Sequence, residues 1–438
     1  MSDRNPHDGI SGARVVPRII IHGGAGNITK TTIPRDRYLE YESSLNRILG
    51  KAADLLSTPG ATALEVATYA VSLLEDDPLY NSGKGAVFTR EGKNELECSI
   101  MVSNGYKKRG VGCMMLTHVK NPIKLARELL IRGEEEDGGG AKDHCQYSGR
   151  FVESLAEKWG LEIVDQAYFF TQRKWDEHRR GLKEMRCEGC ADTMSDWEKN
   201  NYIPLGTCGA VVLDSFGTIC VATSTGGLTN KVPGRIGDTP TLGAGYWAEE
   251  WSAPEKVVMP KTQMLYQSSA GNAASPIDRL SRGDVSGLLS DCLPSLNTTT
   301  ASTTDQTIDQ KFTITPQVRH AVGFSSSGNG DSFIRLCASR TAAAYSRFTP
   351  TSLAAATSWM SGPGGELQKS AGDRWGKVHE GVGGMIGIEL VGNKAEVVCD
   401  YNCGGMFRAW TDEEGQRKCL IFRTRGWEGG PENWDAPC

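Results

Sequence analysis

No stretch of the 438-residue chain approaches the roughly 18–20 consecutive apolar residues that a membrane-spanning helix needs. There is no basic excess: 48 Lys and Arg stand against 53 Asp and Glu, a formal charge of −5, which excludes a global nucleic-acid footprint. Met1 to Val15 is polar and mixed in charge, with no apolar core and no small-residue cleavage site, so no secretory signal is expected. No internal repeat or heptad array is visible. The glycine-rich runs HGGAG and SSSGNG fit neither G-x-G-x-x-G nor a Walker pattern, which argues against a nucleotide-binding protein. The 13 cysteines are odd in number and spread along the chain, unlike a secreted disulfide framework. Free thiols in a reducing, cytoplasmic compartment are expected. Cys187-x-x-Cys190, with His144 and Cys145 upstream, has the spacing of half a zinc site, but a second clean pair is missing.

What is present suffices for a large buried core: 39% hydrophobic residues and 52 glycines. Residues 1–14 are expected to be a disordered tail. Val16 to His22 reads as a strand running into a glycine turn, and Arg37 to Ser57, Ala61 to Leu74 and Pro122 to Arg132 read as helices from their apolar spacing. From Gly133 the composition turns charged and glycine-rich, and 133–206 is expected to be largely a flexible, exposed linker, with a helix near Val152–Trp159. GTCGAVVLDSFGTICVATSTGG reads as a hairpin turning at Asp214 to Gly217. A Ser/Thr-rich stretch, 268–309, reads as a low-complexity insertion. A strand at His320–Phe324, a helix over Ser332–Tyr345 and strands through Gly384–Val398 follow.

Chemistry gathers around the hairpin. A threonine hydroxyl is a weak nucleophile without a base. If the chain were cut before Thr207, the new α-amine, with an ordinary pKa of about 7.7–8.0, could take the proton from the same residue's Oγ. Gly206 leaves that peptide sterically accessible. Thr225, on the return arm, could set a second hydroxyl beside Thr207. In Pro233-Gly-Arg235-Ile-Gly-Asp238 a guanidinium and a carboxylate lie three residues apart; they suit the carboxylate and ammonium of an α-amino acid. Each feature alone also fits an ordinary strand threonine or a surface ion pair.

Taken in order, these segments resemble the plant-type asparaginase and isoaspartyl peptidase family of threonine N-terminal-nucleophile hydrolases. The resemblance runs through IIHGGAG, PLYNSGKGAVFTREGKNELE, the segment from Gly206 to Gly245, SSSGNGDSFIR, and GGMIGIELVGN with GGMFRAW, about two-thirds of the chain. It implies an α+β fold, a four-layer αββα sandwich, made as one domain and cut between Gly206 and Thr207 into an α chain (15–206) and a β chain (207–438). Thr207 would be nucleophile and base, Thr225 its orienting hydroxyl, and Ser327 with Gly328 the oxyanion site. Arg235, Asp238, Gly330 and Asn81 would contact substrate. The resemblance implies no organic cofactor, and a structural sodium ion on the backbone carbonyls of Leu74, Glu75, Asp77, Tyr80, Ser82 and Lys84.

The activity implied is hydrolysis of the side-chain amide of asparagine, or of β-aspartyl dipeptides, by a homodimer of processed protomers acting on small molecules, with no nucleic-acid or membrane partner. Two alternatives remain: an endopeptidase cutting after Asp, like the threonine aspartase branch, and a non-catalytic, uncut chain. The family usually carries Asp-Gly after the Ile-Met strand, whereas Met101 is followed by Val102-Ser103-Asn104-Gly105. Asp238 favours amino-acid substrates, because an endopeptidase substrate has no free α-ammonium for it to meet.

Overall fold

The structure is a computed structural model that describes residues 15–184, 206–254 and 317–434. The expected tail, the 268–309 insertion, and Cys187 with Cys190 lie outside the described residues.

Twelve strands and nine α-helices are described. In chain order they are β1 (Arg18–Gly26), α1 (Arg35–Leu56), α2 (Ala63–Glu75), β2 (Leu96–Val102), β3 (Gly110–Leu116), α3 (Pro122–Arg132), β4 (Gln146–Ser148), α4 (Gly149–Lys158) and α5 (Gln172–Glu184). After the undescribed stretch come β5 (Cys208–Leu213), β6 (Ile219–Thr225) and β7 (Tyr246–Pro254). The last part holds β8 (Gln317–Gly328), α6 (Gly330–Leu336), α7 (Ala338–Phe348), α8 (Leu353–Ser361), α9 (Glu366–Ala371), β9 (Gly383–Val391), β10 (Lys394–Tyr401), β11 (Gly405–Thr411) and β12 (Arg417–Leu420). An eight-stranded sheet has the order β12-β11-β1-β5-β6-β2-β3-β4, and a four-stranded sheet the order β10-β9-β8-β7.

Side-chain alternation explains the layering. Successive residues of a strand face opposite sides, and the central strands of the large sheet are apolar on both. Ile19, Ile21, Ala210, Val212, Cys220 and Ala222 pack against α1, α2 and α3. Their neighbours Ile20, Val211, Leu213, Ile219 and Val221 pack against Ala321, Ile386, Ile388 and Leu390 of the small sheet. On the far face of that sheet Val322, Phe324 and Met385 meet Phe333, Ala342 and Leu353 of the C-terminal helices. Three apolar layers thus separate helix, sheet, sheet and helix, the αββα sandwich that the resemblance implied.

Local signals set the element ends. Thr62 caps α2 by accepting from the Glu65 N–H, and Pro122 occupies the first turn of α3. The hairpin forms as expected, β5 pairing antiparallel with β6. The helix expected over 332–345 is two, because Cys337 takes a left-handed conformation at φ 47°.

The stretch expected to be linker is ordered through α4 and α5 as far as Glu184; the remainder, 185–205, lies outside the described residues. Charge concealed the amphipathic character of α5. Its inward groups include Lys174 and His178, both almost wholly buried, and the Lys174 ammonium is neutralised by Glu177 at 2.7 Å. A mean-composition reading cannot see charges that pair within the helix. Among the described residues no helix is long and apolar enough to cross a membrane.

Candidate active site

The site forms where β1 and β5 run side by side in the middle of the large sheet, at the end of β1 and the start of β5. His22 of β1 is registered against Gly209 of β5, and past a bulge between His22 and Gly24 in the pairing with β11 the glycine-rich end of β1 lies against Gly206. Gly24, at φ +121°, comes so close to the Gly206 peptide that a Cβ on it would lie 2.9 Å from the Gly206 nitrogen. On the other side a Cβ on Gly206 would collide with Ser327 Oγ. The Gly206–Thr207 peptide is therefore held between β1 and β8 with no room for a side chain on its acyl residue.

Ser327, fully buried at the end of β8, accepts a hydrogen bond from the Ala25 N–H at 3.0 Å. A hydroxyl that accepts on one side keeps its own proton to donate on another, and Gly206 lies against this one. Gly328 follows at the strand's last position.

Thr207 is nearly buried, and its Oγ1 lies 2.9 Å from Thr239 Oγ1. Thr225 was the expected partner. The hairpin register ends with Cys208 opposite Ser224, which sets Thr225 across from Thr207. Its hydroxyl accepts from the Gly227 N–H at 3.0 Å, and the hydroxyl bonded to Thr207 Oγ1 is that of Thr239. Sequence reading missed Thr239 because nothing in Asp238-Thr239-Pro240 separates it from any loop threonine; only folding brings it 32 positions back along the chain. Thr239→Val, which keeps the shape and removes the hydroxyl, is expected to lower turnover about 10–100-fold, with Thr239→Ser near wild type, measured by steady-state kinetics.

His22 is a second group the sequence left unassigned. Its Nε2 lies 2.8 Å from Ser325 Oγ, which in turn lies 3.1 Å from Thr223 Oγ1. Burial pushes the imidazole down to about 3, opposed by the Thr207 backbone, so His22 is a neutral packing and hydrogen-bonding group here and no imidazolium acts beside Thr207.

The two charged residues expected to bind substrate do converge. A Cβ on Gly330 would lie 2.6 Å from Asp238 Oδ1 and 2.8 Å from Arg235 Nη2, so the missing side chain leaves a gap that both groups border. Asp238 is buried, and its Oδ2 has no hydrogen-bond partner among the described residues. Burial raises its carboxyl to about 7, the Arg235 charge opposing the shift. A buried carboxyl that borders the same gap as a guanidinium, with one oxygen left without a partner, is fitted to receive a cation whose molecule also carries an anion. Arg235 itself reaches outward to Asp331, with Nη2 3.4 Å from Oδ2. Behind the pair, buried Glu97 accepts from the Gly237 N–H at 2.9 Å and holds this loop in place.

Asn81 is engaged with backbone: its Oδ1 accepts from the Val87 N–H at 3.0 Å and its Nδ2 donates to the Gly227 carbonyl at 2.7 Å. It ties the 80–88 loop to the loop that carries Arg235. Beside it lies the expected sodium loop. The carbonyls of Glu75 and Tyr80 crowd against Gly83 and Gly85, where any side chain would overlap them. The Glu75 carboxyl accepts from Ser224 Oγ at 2.7 Å and the Ile123 N–H at 3.0 Å, and burial raises it to about 8. No cluster of three or more His, Cys, Asp or Glu side chains among the described residues could hold a transition metal.

Comparison with known proteins adds an independent finding. Residues 15–254 match the family model described as Asparaginase. A Dictyostelium discoideum protein assigned by name to isoaspartyl peptidase/L-asparaginase is 38% identical over 256 residues, covering 53% of this chain and 70% of its own length. The isoaspartyl peptidase of Salmonella typhimurium is 36% identical over 236 residues, with coverages of 53% and 70%. An Arabidopsis thaliana protein, also assigned by name to isoaspartyl peptidase/L-asparaginase, is 29% identical over 424 residues, which covers 92% of this chain and 98% of that one.

Proposed function

The chain belongs to the asparaginase family, and from that premise we propose that it is a hydrolase that cuts its own Gly206–Thr207 bond and then releases aspartate from asparagine or β-aspartyl dipeptides. The observation that carries the reading is the buried Asp238 carboxyl, whose Oδ1 borders the Gly330 gap together with Arg235 Nη2 and whose Oδ2 has no hydrogen-bond partner among the described residues, a receptor for the two charges of an α-amino acid.

In the first reaction Thr207 Oγ attacks the Gly206 carbonyl carbon, and the peptide nitrogen leaves as the Thr207 amine. The ester that joins Gly206 to Oγ is hydrolysed by water. Ser327 Oγ, turned by its bond from Ala25 N–H, donates to the oxyanion. In the second reaction the freed amine takes the proton of Oγ, while Thr239 holds that oxygen in line. Arg235 and Asp238 fix the substrate's α-carboxylate and α-ammonium, and so place its side-chain carbonyl at Oγ. Ammonia or an amino acid departs, and water releases aspartate from the ester.

A cation on the Glu75–Gly85 carbonyls would stiffen the loop that Asn81 joins to the substrate loop; it takes no part in the chemistry. The nine cysteines of the described residues are free thiols, which supports a cytoplasmic setting. A homodimer of cut protomers follows the family resemblance and is tested by solution mass.

N-terminal sequencing of the purified protein should return Thr-Cys-Gly-Ala for the downstream fragment, and that material should release ammonia from asparagine or an amino acid from β-aspartyl dipeptides. A cut elsewhere, or turnover only of Asp-containing proteins, contradicts the reading.

A further inference from the structure

The loop from Gly226 to Asp238 carries both charged binding residues, and most of its anchors come from residues 81–97. Asn81 holds the Gly227 carbonyl, Glu95 Oε2 accepts from the Gly234 N–H at 2.9 Å, and Glu97 accepts from the Gly237 N–H. One anchor comes from α5, the last described helix before the bond to be cut. His178 Nδ1 lies 2.5 Å from Asn230 Oδ1, and Asn230 Nδ2 donates back to the His178 carbonyl at 3.1 Å. Both residues are buried. The fit leaves no slack: a Cβ on Gly181, one helical turn on, would lie 2.5 Å from Asn230 Nδ2.

Asn230 takes a left-handed conformation at φ +59°, which Asn adopts more readily than most residues other than glycine. Its N–H donates to the Phe88 carbonyl at 2.8 Å, and the next residue, Lys231, reaches the Glu95 carbonyl through Nζ at 2.8 Å. Arg235 lies five positions on. The His178 ring is itself fixed among aromatics, with Trp175 at 4.9 Å and Phe88 at 5.7 Å between centroids.

We propose that His178 and Asn230 form a clamp by which the fragment upstream of the cut keeps the substrate-binding loop of the downstream fragment in register. His178 is a positioning residue, acting on substrate only through Asn230 and Arg235. The clamp spans the cut, so self-cleavage releases the Thr207 amine while the binding loop keeps its support. Its energy is directed to substrate binding and not to the chemical step. This rests on the substrate reading above.

The test uses the full-length chain after self-cleavage. His178→Ala should be cut as fully as wild type, raise KM for a β-aspartyl dipeptide about tenfold, and leave kcat within about twofold. His178→Asn, whose amide nitrogen can replace Nδ1, should restore KM. Asn230→Gly keeps the left-handed turn and loses the amide; it should match His178→Ala, and the double variant should be no worse than either single one. Should His178→Ala accumulate poorly, Asn230→Gly carries the same comparison. An unchanged KM in either single variant, a loss confined to kcat, or additive effects in the double variant would overturn the clamp. A wild type that turns over neither asparagine nor β-aspartyl dipeptides sinks the substrate reading instead. The clamp is then judged by hydrogen–deuterium exchange of peptides from 226–238, which must speed up in both single variants; equal exchange overturns it.

Discussion

Thr207→Ala is expected to run as one uncut chain on a denaturing gel and to lose turnover by about ten-thousand-fold or more. Two functions vanish with one oxygen. Without Oγ nothing attacks the Gly206 carbonyl, so the amine that would serve as base is never released. Nor is there an oxygen to form the β-aspartyl ester. Groups acting as one unit lose nearly all catalysis when any is removed, which sets the scale. The scaffold should stand, since Thr207 lies just ahead of β5 and the change removes a single buried hydroxyl contact, that with Thr239. Thr207→Ser keeps the atom that matters, and should cut itself and retain measurable activity. Its serine has more rotamer freedom than β-branched threonine, so a slower reaction is expected. A cut, active Thr207→Ala protein would end the mechanism outright. The measurements are gel mobility, intact mass and amide hydrolysis on the same preparations.

Asp238→Asn is expected to reduce kcat/KM about a hundred-fold for asparagine or β-aspartyl dipeptides, in line with the loss of a buried charge-assisted contact. The wild-type pH profile provides the sign. Burial raises the Asp238 carboxyl to about 7, and only the ionised form attracts an ammonium. Wild-type kcat/KM should therefore rise as Asp238 ionises through about 7, on top of the rise as the Thr207 amine loses its proton at about 7.7–8.0, and the Asn variant should keep only the amine's limb. Stability should move the other way. The folded state holds a proton that the unfolded chain gives up near pH 4, so Asp238 weakens the fold progressively as pH rises from about 4 to about 7. Asp238→Asn should consequently unfold at a higher temperature than wild type at pH 8, with the difference vanishing near pH 4. A variant that kept full kcat/KM would remove the ammonium assignment; one that lost activity and stability together would point to a packing role.

How much of this was legible beforehand differs element by element. Helix α3 begins at Pro122 and ends at Arg132 as its spacing predicts, and the β5–β6 hairpin turns at Asp214–Gly217 as its punctuation predicts. Arg235 and Asp238 could be paired from their separation and chemistry alone. Helix α5 could not be read in the same way, because its charged residues turn inward and meet one another. Cys337 splits a helix whose apolar pattern is continuous across it.

The sequence by itself determined elements such as α3 and the β5–β6 hairpin, the apolar alternation that demands two faces for each central strand, and a hydroxyl residue placed behind a glycine where scission would expose an amine. All of these are short-range properties, written in neighbours and spacings. Tertiary structure alone decided that the Thr239 hydroxyl meets that of Thr207, that Ser327 closes on Gly206, and that His178 reaches Asn230. Those meetings join residues tens to hundreds of positions apart. They depend on strand register and on which side of a strand faces the cut, and a single-residue shift in register would exchange one face for the other.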